Sequence, residues 1–343
     1  MGLTTAQLRQ VAADMGLPAF AGGQMSQWLY AKHVDSIESM TNLSKEARRR
    51  LAETYCVGAM PHAARYQSAD GTVKYLFPVR CNDGDSAKQR YVETVFIPDG
   101  ERATLCVSSQ VGCKMNCLFC QTGKQGFEGN LTVGDIINQV YSLPERNLLT
   151  NIVFMGQGEP MDNADAVLAA AELLTAPDGY AWSPKRITIS TVGVKNGLLR
   201  LLDESQCHVA VSMHTPLHEE RLQLMPAERA MPIASVVDIL RRYDFSHQRR
   251  CSFEYICFGG LNDDIEHAKA IVRLVGGVEC RVNLIRFHAI PDVQLPATDE
   301  RRMEQMRDYL TAHGVFATIR ASRGEDILAA CGLLSTYQKN HKS

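Results

Sequence analysis

Short apolar segments alternate with amphipathic helical segments along most of this 343-residue chain, and this alternation limits the fold more than any other feature. Alternating strands and helices form parallel sheets with right-handed crossovers. Apolar, β-branched runs predict strands. The predicted strands are Thr104–Val107, Ile152–Met155, Arg186–Ser190, Val209–Ser212, Ser252–Ile256, Arg281–Ile285 and Phe316–Arg320.

Between these strands, apolar residues recur at helical spacing, which predicts α-helices. The predicted helices are Val133–Ser142, Ala164–Leu174, Gly197–Asp203, Ile233–Tyr243, Ile265–Val275 and Arg301–His313. Six strand–helix units fall short of the eight in a closed barrel, so the pattern predicts an α/β fold with an open, partial (β/α)6 TIM-like barrel. Such folds carry their chemistry on the loops at the carboxyl ends of the strands.

The chain before residue 100 has different patterns. It starts with three helical segments, the first capped by Thr4 and Gln7, and the others at Gln24–His33 and Ser44–Tyr55. Strand patterns then flank a turn, which predicts a β-hairpin. The expected division is a helical accessory domain at 1–60, a hairpin extension at 61–100, the barrel at 101–320 and a C-terminal segment at 321–343.

Composition excludes several classes of protein. The 36 Lys and Arg residues balance 38 Asp and Glu residues, and a net charge of −2 argues against a general polyanion-coating protein. No apolar run approaches the ~18 residues of a membrane span. No secretion signal is visible, which predicts a cytoplasmic protein without a membrane partner.

Eleven cysteines, an odd number in a reducing compartment, do not indicate a disulfide framework. Most are expected to be small buried residues, as free cysteines commonly are. That group is Cys56, Cys81, Cys207, Cys251, Cys257 and Cys280.

Three of the remaining cysteines form a C-x3-C-x2-C motif just after the first predicted barrel strand: Cys113, Cys117 and Cys120. Soft thiolates favour iron–sulfur clusters or zinc. A closed structural zinc site uses four ligands, and the sequence has no second C-x2-C pair. The motif therefore predicts a [4Fe–4S] cluster with one iron open to a ligand.

In this position the motif resembles that of the radical S-adenosylmethionine (SAM) superfamily. The resemblance implies that the open iron binds SAM, which is then cleaved to a 5′-deoxyadenosyl radical. The Met155-Gly-Gln-Gly-Glu-Pro160 turn resembles the motif that binds the amino group of SAM. The residues implied to bind SAM, by this motif or by their place at strand ends, are Gly158, Glu159, Ser190, Ser212, Met213 and His214.

Three longer stretches, together with the Met155–Pro160 turn, resemble the RlmN type of RNA methyltransferase. They are Glu93–Pro98, Leu105–Cys113 and Arg323–Gly332, within a resemblance that runs from about residue 4 to residue 337. It implies methylation of carbon 2 of adenine 2503 in 23S rRNA, and it allows adenine 37 of tRNA as a second substrate.

The same resemblance implies the roles of four further residues. Cys331 takes a methyl group from one SAM, and a second SAM supplies the radical that activates it, so two SAM are used per turnover. Cys106 then forms a disulfide with Cys331 and releases the product. Glu93 matches the proton acceptor, although its pattern alone indicates the solvent face of an edge strand. His288 stands where the family commonly has an asparagine that contacts SAM.

The resemblance also implies a flavodoxin or ferredoxin as electron donor, and a monomer is expected. RNA is expected to contact the N-terminal helices near Lys32 and Arg48–Arg50. Three alternatives stay open: a Cfr-type enzyme that methylates carbon 8 of the same adenine, another radical SAM enzyme, and a non-catalytic iron–sulfur or thiol redox protein.

Overall fold

The computed structural model describes residues 1–81, 89–247, 249–291 and 293–335. The end of the resemblance at residue 337 and the last part of the predicted C-terminal segment, 336–343, lie outside the described residues. The strands of the described residues are β1 (Ala64–Gln67), β2 (Val73–Val79), β3 (Arg90–Asp99), β4 (Arg102–Cys106), β5 (Gln110–Gly112), β6 (Phe127–Asn130), β7 (Asn151–Phe154), β8 (Ile187–Thr191), β9 (His208–Ser212), β10 (Cys251–Cys257), β11 (Cys280–Arg286) and β12 (Phe316–Ile319).

The helices of the same residues cover the outer faces and the N-terminal region. They are α1 (Thr5–Asp14), α2 (Phe20–Ser26), α3 (Lys45–Thr54), α4 (Gln121–Gln125), α5 (Val133–Tyr141), α6 (Ala164–Thr175), α7 (Lys195–Glu204), α8 (His218–Leu224), α9 (Ile233–Leu240), α10 (Ile265–Val275) and α11 (Glu300–Ala312).

Ten strands form one sheet in the order β1-β2-β3-β4-β7-β8-β9-β10-β11-β12, while β5 and β6 pair separately. The strands from β4 through β12 in this sheet run parallel, and β1 to β4 pair antiparallel. Each predicted barrel strand begins and ends within two residues of an observed one. The predicted α/β fold class is confirmed.

The sheet continues without a break across residue 100. Strands β3 and β4 form an antiparallel pair in which Val95 lies opposite Cys106, and β4 then pairs in parallel with β7. The predicted hairpin extension and the barrel strands therefore share one sheet. The division of the chain into four parts stays a prediction.

The N-terminal helices were predicted less accurately than the barrel. The capping box of Thr4 and Gln7 is present at the start of α1. The helical segment predicted at Gln24–His33 is confirmed from Gln24 to Ala31, but its start was wrong, because α2 begins at Phe20 and a π-helical turn, Gln27–Ala31, follows it. Ala19 makes no side-chain capping bond, so the sequence carries no local start signal there.

The cysteines outside the motif differ in burial. Cys207, Cys251 and Cys257 are buried as predicted, and Cys280 and Cys81 are half-buried. The prediction was wrong for Cys56, which is exposed. In the described part of the chain, no helix combines the length and apolarity that a membrane span requires.

A fully buried ion pair between Arg221 and Glu228 fixes the loop after β9. The Arg221 guanidinium also donates hydrogen bonds to the backbone carbonyls of Val192, Ser212 and Met213. These carbonyls follow or end β8 and β9, so one side chain ties the carboxyl ends of two neighbouring strands together.

We expect Glu228→Gln to lower the free energy of unfolding by about 3–5 kcal/mol, because it leaves the buried Arg221 cation without a counter-charge. Urea titration of the ligand-free protein, followed by circular dichroism, measures the change. The matched control is Glu266→Gln, which breaks a surface ion pair with Lys269 and should cost less than about 1 kcal/mol. A change in Glu228→Gln no larger than this control would contradict the prediction.

Candidate active site

A cavity of about 320 Å³ opens where β4, β7, β11 and β12 end. Cys106, from the end of β4, lines it together with Cys120 of the cysteine motif and Cys331 of the C-terminal segment. His288 and Arg320 line the cavity from the chain after β11 and β12. The cavity therefore brings together residues that are far apart in the sequence.

The loop that carries the cysteine motif lies between β5 and α4. Cys117 is buried and the other two thiols are half-buried. Burial, with a smaller effect of neighbouring thiols, raises the pKa of Cys113 to about 12 and that of Cys117 well above its ordinary value. The three sulfur atoms thus lie within electrostatic range of one another.

These thiols fit an iron–sulfur cluster better than a single metal ion. Among the described residues, no three His, Cys, Asp or Glu side chains lie close enough together to hold one ion. A cluster binds each cysteine to a different iron and so needs thiolates that converge at longer range. Its cationic irons would also offset the cost of burying thiolates.

The glycine turn after β7 packs tightly against β5. Gly158 has φ +96°, and a Cβ there would lie 2.5 Å from the Cβ of Gln110, so a larger residue does not fit. The next backbone N–H, that of Glu159, donates to Oε1 of Gln110 at 2.9 Å. This contact places the turn beside the strand that leads into the cysteine loop.

The Glu159 carboxylate is buried and joins the ends of two strands. Its Oε1 accepts a hydrogen bond from the Met161 N–H at 3.0 Å, and its Oε2 accepts one from the Val192 N–H at 2.9 Å. Burial raises the pKa of Glu159 to about 7, against the opposing effect of its hydrogen bonds to Thr191 and Val192. A carboxylate in this position can accept a hydrogen bond from an ammonium group.

The other residues predicted at strand ends lie on β8 and β9. Ser190 and Ser212 are half-buried, while Met213 and His214 are buried. The His214 Nδ1 accepts a hydrogen bond from the Ile256 N–H at 3.1 Å, so its proton is on Nε2. Burial lowers the pKa of His214 to about 3, which keeps the ring neutral.

His214 also lies four residues before His218, a spacing that occurs in zinc sites. The two rings have separate partners. The His214 ring packs edge-on against Phe119 of the cysteine loop, with 4.7 Å between centroids. The His218 Nδ1 lies 2.8 Å from Oε1 of Glu228. This spacing therefore reflects packing of the loop after β9.

Cys106 and Cys331 meet in the cavity but differ in exposure. Cys106 is buried, whereas Cys331 is exposed. Burial, followed by the neighbouring Cys331, raises the pKa of Cys106 to about 12. The segment that carries Cys331 is held by two hydrogen bonds of 2.7 Å, from the Gln121 N–H to the Gly332 carbonyl and from the Thr122 hydroxyl to the Leu334 carbonyl.

Arg320 is a cavity residue that sequence reasoning missed. Its Nη1 lies 3.7 Å from Oε2 of the buried Glu254, and the guanidinium interacts electrostatically with Cys331 and Cys106. Nη1 also lies 3.7 Å from Sδ of Met155. The sequence did contain a signal for Arg320. It is a charged residue at the carboxyl end of the last predicted strand, and such positions face the site in this fold class.

Glu93 was expected on a solvent-exposed face, and this expectation is wrong. Its side chain is only 7% exposed, because the C-terminal segment covers β3. Its Oε1 lies 2.9 Å from Nζ of Lys74, and its Oε2 accepts a hydrogen bond from the Ser335 N–H at 2.7 Å. Glu93 is not among the residues that line the cavity, but it binds the segment that carries Cys331.

His288 lines the cavity and also contacts the C-terminal segment. Its Nε2 lies 3.0 Å from the Ser322 hydroxyl, and its Nδ1 lies 3.2 Å from Oε1 of Glu325. The ring is therefore oriented by two partners that follow β12. Any contact of His288 with a ligand must be made alongside these two interactions.

The basic residues of the N-terminal helices are partly neutralised. Arg49 pairs with Glu46 at 2.7 Å, and Arg48 donates to the backbone carbonyl of Glu38. The Lys32 ammonium lies 3.5 Å from the centre of the Trp28 ring. Arg49 is therefore a weak contributor to any positive patch on this surface.

Two family models match separate parts of the chain. The model of the radical SAM superfamily matches residues 107–272, and the model of the ribosomal RNA large subunit methyltransferase N-terminal domain matches residues 1–57.

Full-length relatives and a solved structure are also similar to this chain. A Parabacteroides distasonis protein named "Probable dual-specificity RNA methyltransferase RlmN" is 57% identical, over 98% of this chain and 96% of that protein. The "Dual-specificity RNA methyltransferase RlmN" of Halorhodospira halophila is 40% identical, over 97% and 92%. The crystal structure of a radical SAM methyltransferase from Sphaerobacter thermophilus superposes with a TM-score of 0.88 at 36% identity, covering 97% and 98% of the two chains.

The buried Glu159 predicts a specific pH dependence of stability. Its pKa is about 7 in the folded protein and 4.5 ordinarily, so the folded state binds the proton more tightly. The stabilisation is present below pH 4.5 and is lost as the pH rises to 7. We expect the free energy of unfolding of the wild type to fall, relative to Glu159→Gln, by about 3 kcal/mol across this range.

Urea titrations of the ligand-free proteins at several pH values between these limits test this expectation. Glu172→Gln, at an exposed glutamate of α6, is the matched control. A stability difference between wild type and Glu159→Gln that stays constant with pH would contradict it.

Proposed function

We propose, because this chain belongs to the RlmN family of radical SAM RNA methyltransferases, that it methylates carbon 2 of adenine 2503 in 23S rRNA, with adenine 37 of tRNA as a second substrate. The observation that carries the proposal is the cavity in which Cys106 and Cys331 meet beside Cys120 of the cysteine motif. Methyl transfer through a protein thioether, resolved by a second thiol, needs such an arrangement.

The radical SAM family implies a [4Fe–4S] cluster and SAM. Cys113, Cys117 and Cys120 would hold the cluster and leave one iron for the amino and carboxylate groups of SAM. When bound, the cluster supplies the electron that cleaves SAM to a 5′-deoxyadenosyl radical.

Residues at the carboxyl ends of the strands would bind SAM itself. The Glu159 carboxylate would accept a hydrogen bond from the SAM amino group, and the tight turn at Gly158 allows the backbone to approach it. The remaining proposed SAM-binding residues are Ser190, Ser212, Met213, His214 and His288.

Cys331 would act first, because it is the exposed thiol of the pair. Its thiolate attacks the methyl carbon of SAM, so that a carbon–sulfur bond to Cys331 forms as the bond to the sulfonium breaks and S-adenosylhomocysteine leaves. Although Cys331 is exposed at the cavity, the protein around it displaces bulk water from its thiol and raises the pKa of Cys331, and the Arg320 cation is the largest effect that lowers it and so favours the thiolate. The S-methyl group on Cys331 would then be in place to lose a hydrogen atom to the radical that a second bound SAM would supply, which would account for two SAM per turnover.

Cys106 would release the product. After the methyl-derived carbon is bonded to adenine, the Cys106 sulfur attacks the Cys331 sulfur, a disulfide forms, and the old sulfur–carbon bond breaks. Its electron pair stays on the carbon, which takes a proton and becomes the methyl group. Addition of the methylene radical to carbon 2 leaves one unpaired electron on the adduct. Before the disulfide forms, Glu93 would accept the proton from carbon 2, and the unpaired electron would return to the oxidised cluster, which restores the aromatic ring. A dithiol reductant restores the two thiols.

The relatives named RlmN favour this proposal over Cfr-type methylation of carbon 8. The joint presence of Cys106, Cys331 and the SAM-binding turn disfavours another radical SAM reaction or a non-catalytic redox protein. We further propose a flavodoxin or ferredoxin as electron donor, RNA contact through the N-terminal helices, a monomer, and action in the cytoplasm.

Methyl-labelled SAM tests the order of the reaction. We expect the anaerobically reconstituted protein to carry label first on Cys331 and then on adenine in 23S rRNA that lacks the modification. Mass mapping of the nucleoside should place the methyl group on carbon 2. Cys331→Ala should cleave SAM but transfer no methyl group, because it lacks the sulfur that carries it. Label on carbon 8, or transfer by Cys331→Ala, would refute the proposal.

Replacing Cys106 should trap the RNA on the protein. In Cys106→Ala the adduct through Cys331 has no thiol to resolve it, so a covalent RNA–protein species should accumulate and be visible on a denaturing gel. Cys56→Ala, at an exposed cysteine of the N-terminal region, is the matched control and should release product normally. Normal release by Cys106→Ala would remove this residue from the mechanism.

A further inference from the structure

The hairpin formed by β1 and β2 holds the segment that carries Cys331. It lies between the two regions that the family models match, residues 1–57 and 107–272. The Asp70 carboxylate accepts a hydrogen bond from the Gly324 N–H at 2.9 Å. The Asp326 carboxylate accepts bonds from the Ser68 hydroxyl at 2.5 Å and from the Ala69 N–H at 3.2 Å. The turn of the hairpin is therefore bonded to the start of the C-terminal segment.

Lys74 of β2 extends this contact to Glu93. Leu76 lies opposite Glu93 in the β2–β3 pair, which places Lys74 diagonally across from Glu93 on the same face. The Lys74 ammonium lies 2.9 Å from Oε1 of Glu93 and donates to the Leu328 carbonyl at 3.4 Å. The other oxygen of Glu93 binds the Ser335 N–H. The pair therefore contacts the C-terminal segment on both sides of Cys331.

The two side chains are 10% and 7% exposed, so neither charge is well solvated. Burial raises the pKa of Glu93, and the Lys74 charge is the largest effect that lowers it. Among the described residues, the other hydrogen-bond partners of Glu93 are neutral: the Ser335 N–H, the Ser108 hydroxyl on its carbonyl and the Gln157 amide on its N–H. Without Lys74, a carboxylate in this place would lose its counter-charge.

We propose that Lys74 is a positioning residue for the reaction: it keeps Glu93 ionised, and therefore able to accept a proton, and it ties this carboxylate to the segment that carries Cys331. The inference rests on the proposed function, in which Glu93 is the proton acceptor. It gives the β1–β2 hairpin a role in catalysis beyond extending the sheet.

The test compares Lys74→Met and Lys74→Arg with the wild type in the reconstituted full-length protein, as methyl transfer to adenine from about pH 6 to pH 9. We expect Lys74→Met to lose about tenfold in rate at pH 7 and to recover at higher pH, because removal of the cation raises the pKa of Glu93 and leaves most of this carboxyl protonated at pH 7. Lys74→Arg keeps the charge and should retain the wild-type pH profile within about threefold.

Two further measurements separate positioning from a merely structural role. Methylation of Cys331 by SAM does not need Glu93, and Lys74→Met should retain it. Infrared difference spectra of Lys74→Met against the wild type at pH 7 should show an additional protonated carboxyl band that disappears in the double variant Lys74→Met/Glu93→Gln. The matched control is Lys269→Met, which removes a lysine paired with Glu266 on α10 and should leave activity unchanged at every pH.

Several results would overturn the inference. The first two are a wild-type rate of methyl transfer in Lys74→Met and a loss of rate by the same factor at every pH. The others are absence of the additional infrared band in Lys74→Met and failure of Lys74→Arg to retain the wild-type pH profile. The variant Glu93→Gln distinguishes failure of the inference about Lys74 from failure of the proposed function. If Glu93→Gln is inactive while Lys74→Met is normal, only the inference fails. If Glu93→Gln is fully active, the proposed role of Glu93 fails with it.

Discussion

Parallel pairing from β4 through β12 is the constraint on which the rest of the site depends. Parallel strands place all their carboxyl ends at one edge of the sheet, so residues that are far apart in the sequence come together there. The register matters as much as the direction. Cys106 lies opposite Val153 in the β4–β7 pair, and a slip of one residue would turn the Cys106 side chain to the other face of the sheet.

The described part of the C-terminal segment, from the end of β12 to Ser335, has little regular structure of its own. It contains one short 3-10 turn, Glu325–Ile327, and it takes left-handed conformations at Gly324, Leu328 and Gly332. Its position is therefore set by hydrogen bonds from elsewhere, namely the β1–β2 turn on one side and α4 on the other. The antiparallel β1–β2 hairpin thus holds the C-terminal segment, which lines the cavity together with residues at the ends of the parallel strands.

This contrast explains which features could be predicted from the sequence. The barrel strands and helices and the capping box at Thr4 depend on local periodicity and side chains, and the sequence predicted them well. The burial of Glu93 depends on a segment more than two hundred residues away, so its local pattern was misleading. Lys74 and Glu93 carry opposite charges in neighbouring, otherwise apolar strands, and this pattern could have predicted that they pair. The meeting of Cys106 with Cys331 followed only from family resemblance.

The different exposure of the two cavity thiols also bears on the order of the proposed steps. A large cofactor can reach Cys331, which is exposed, whereas Cys106 is buried beneath the same cavity. Burial keeps Cys106 protonated at neutral pH, since its pKa is raised to about 12, and a protonated thiol is a poor nucleophile. In the proposed mechanism, Cys106 would therefore not compete for the methyl group and would attack sulfur only once Cys331 carries the adduct. The neighbouring Arg320 cation lowers the pKa of Cys106 and so would favour its thiolate at that stage.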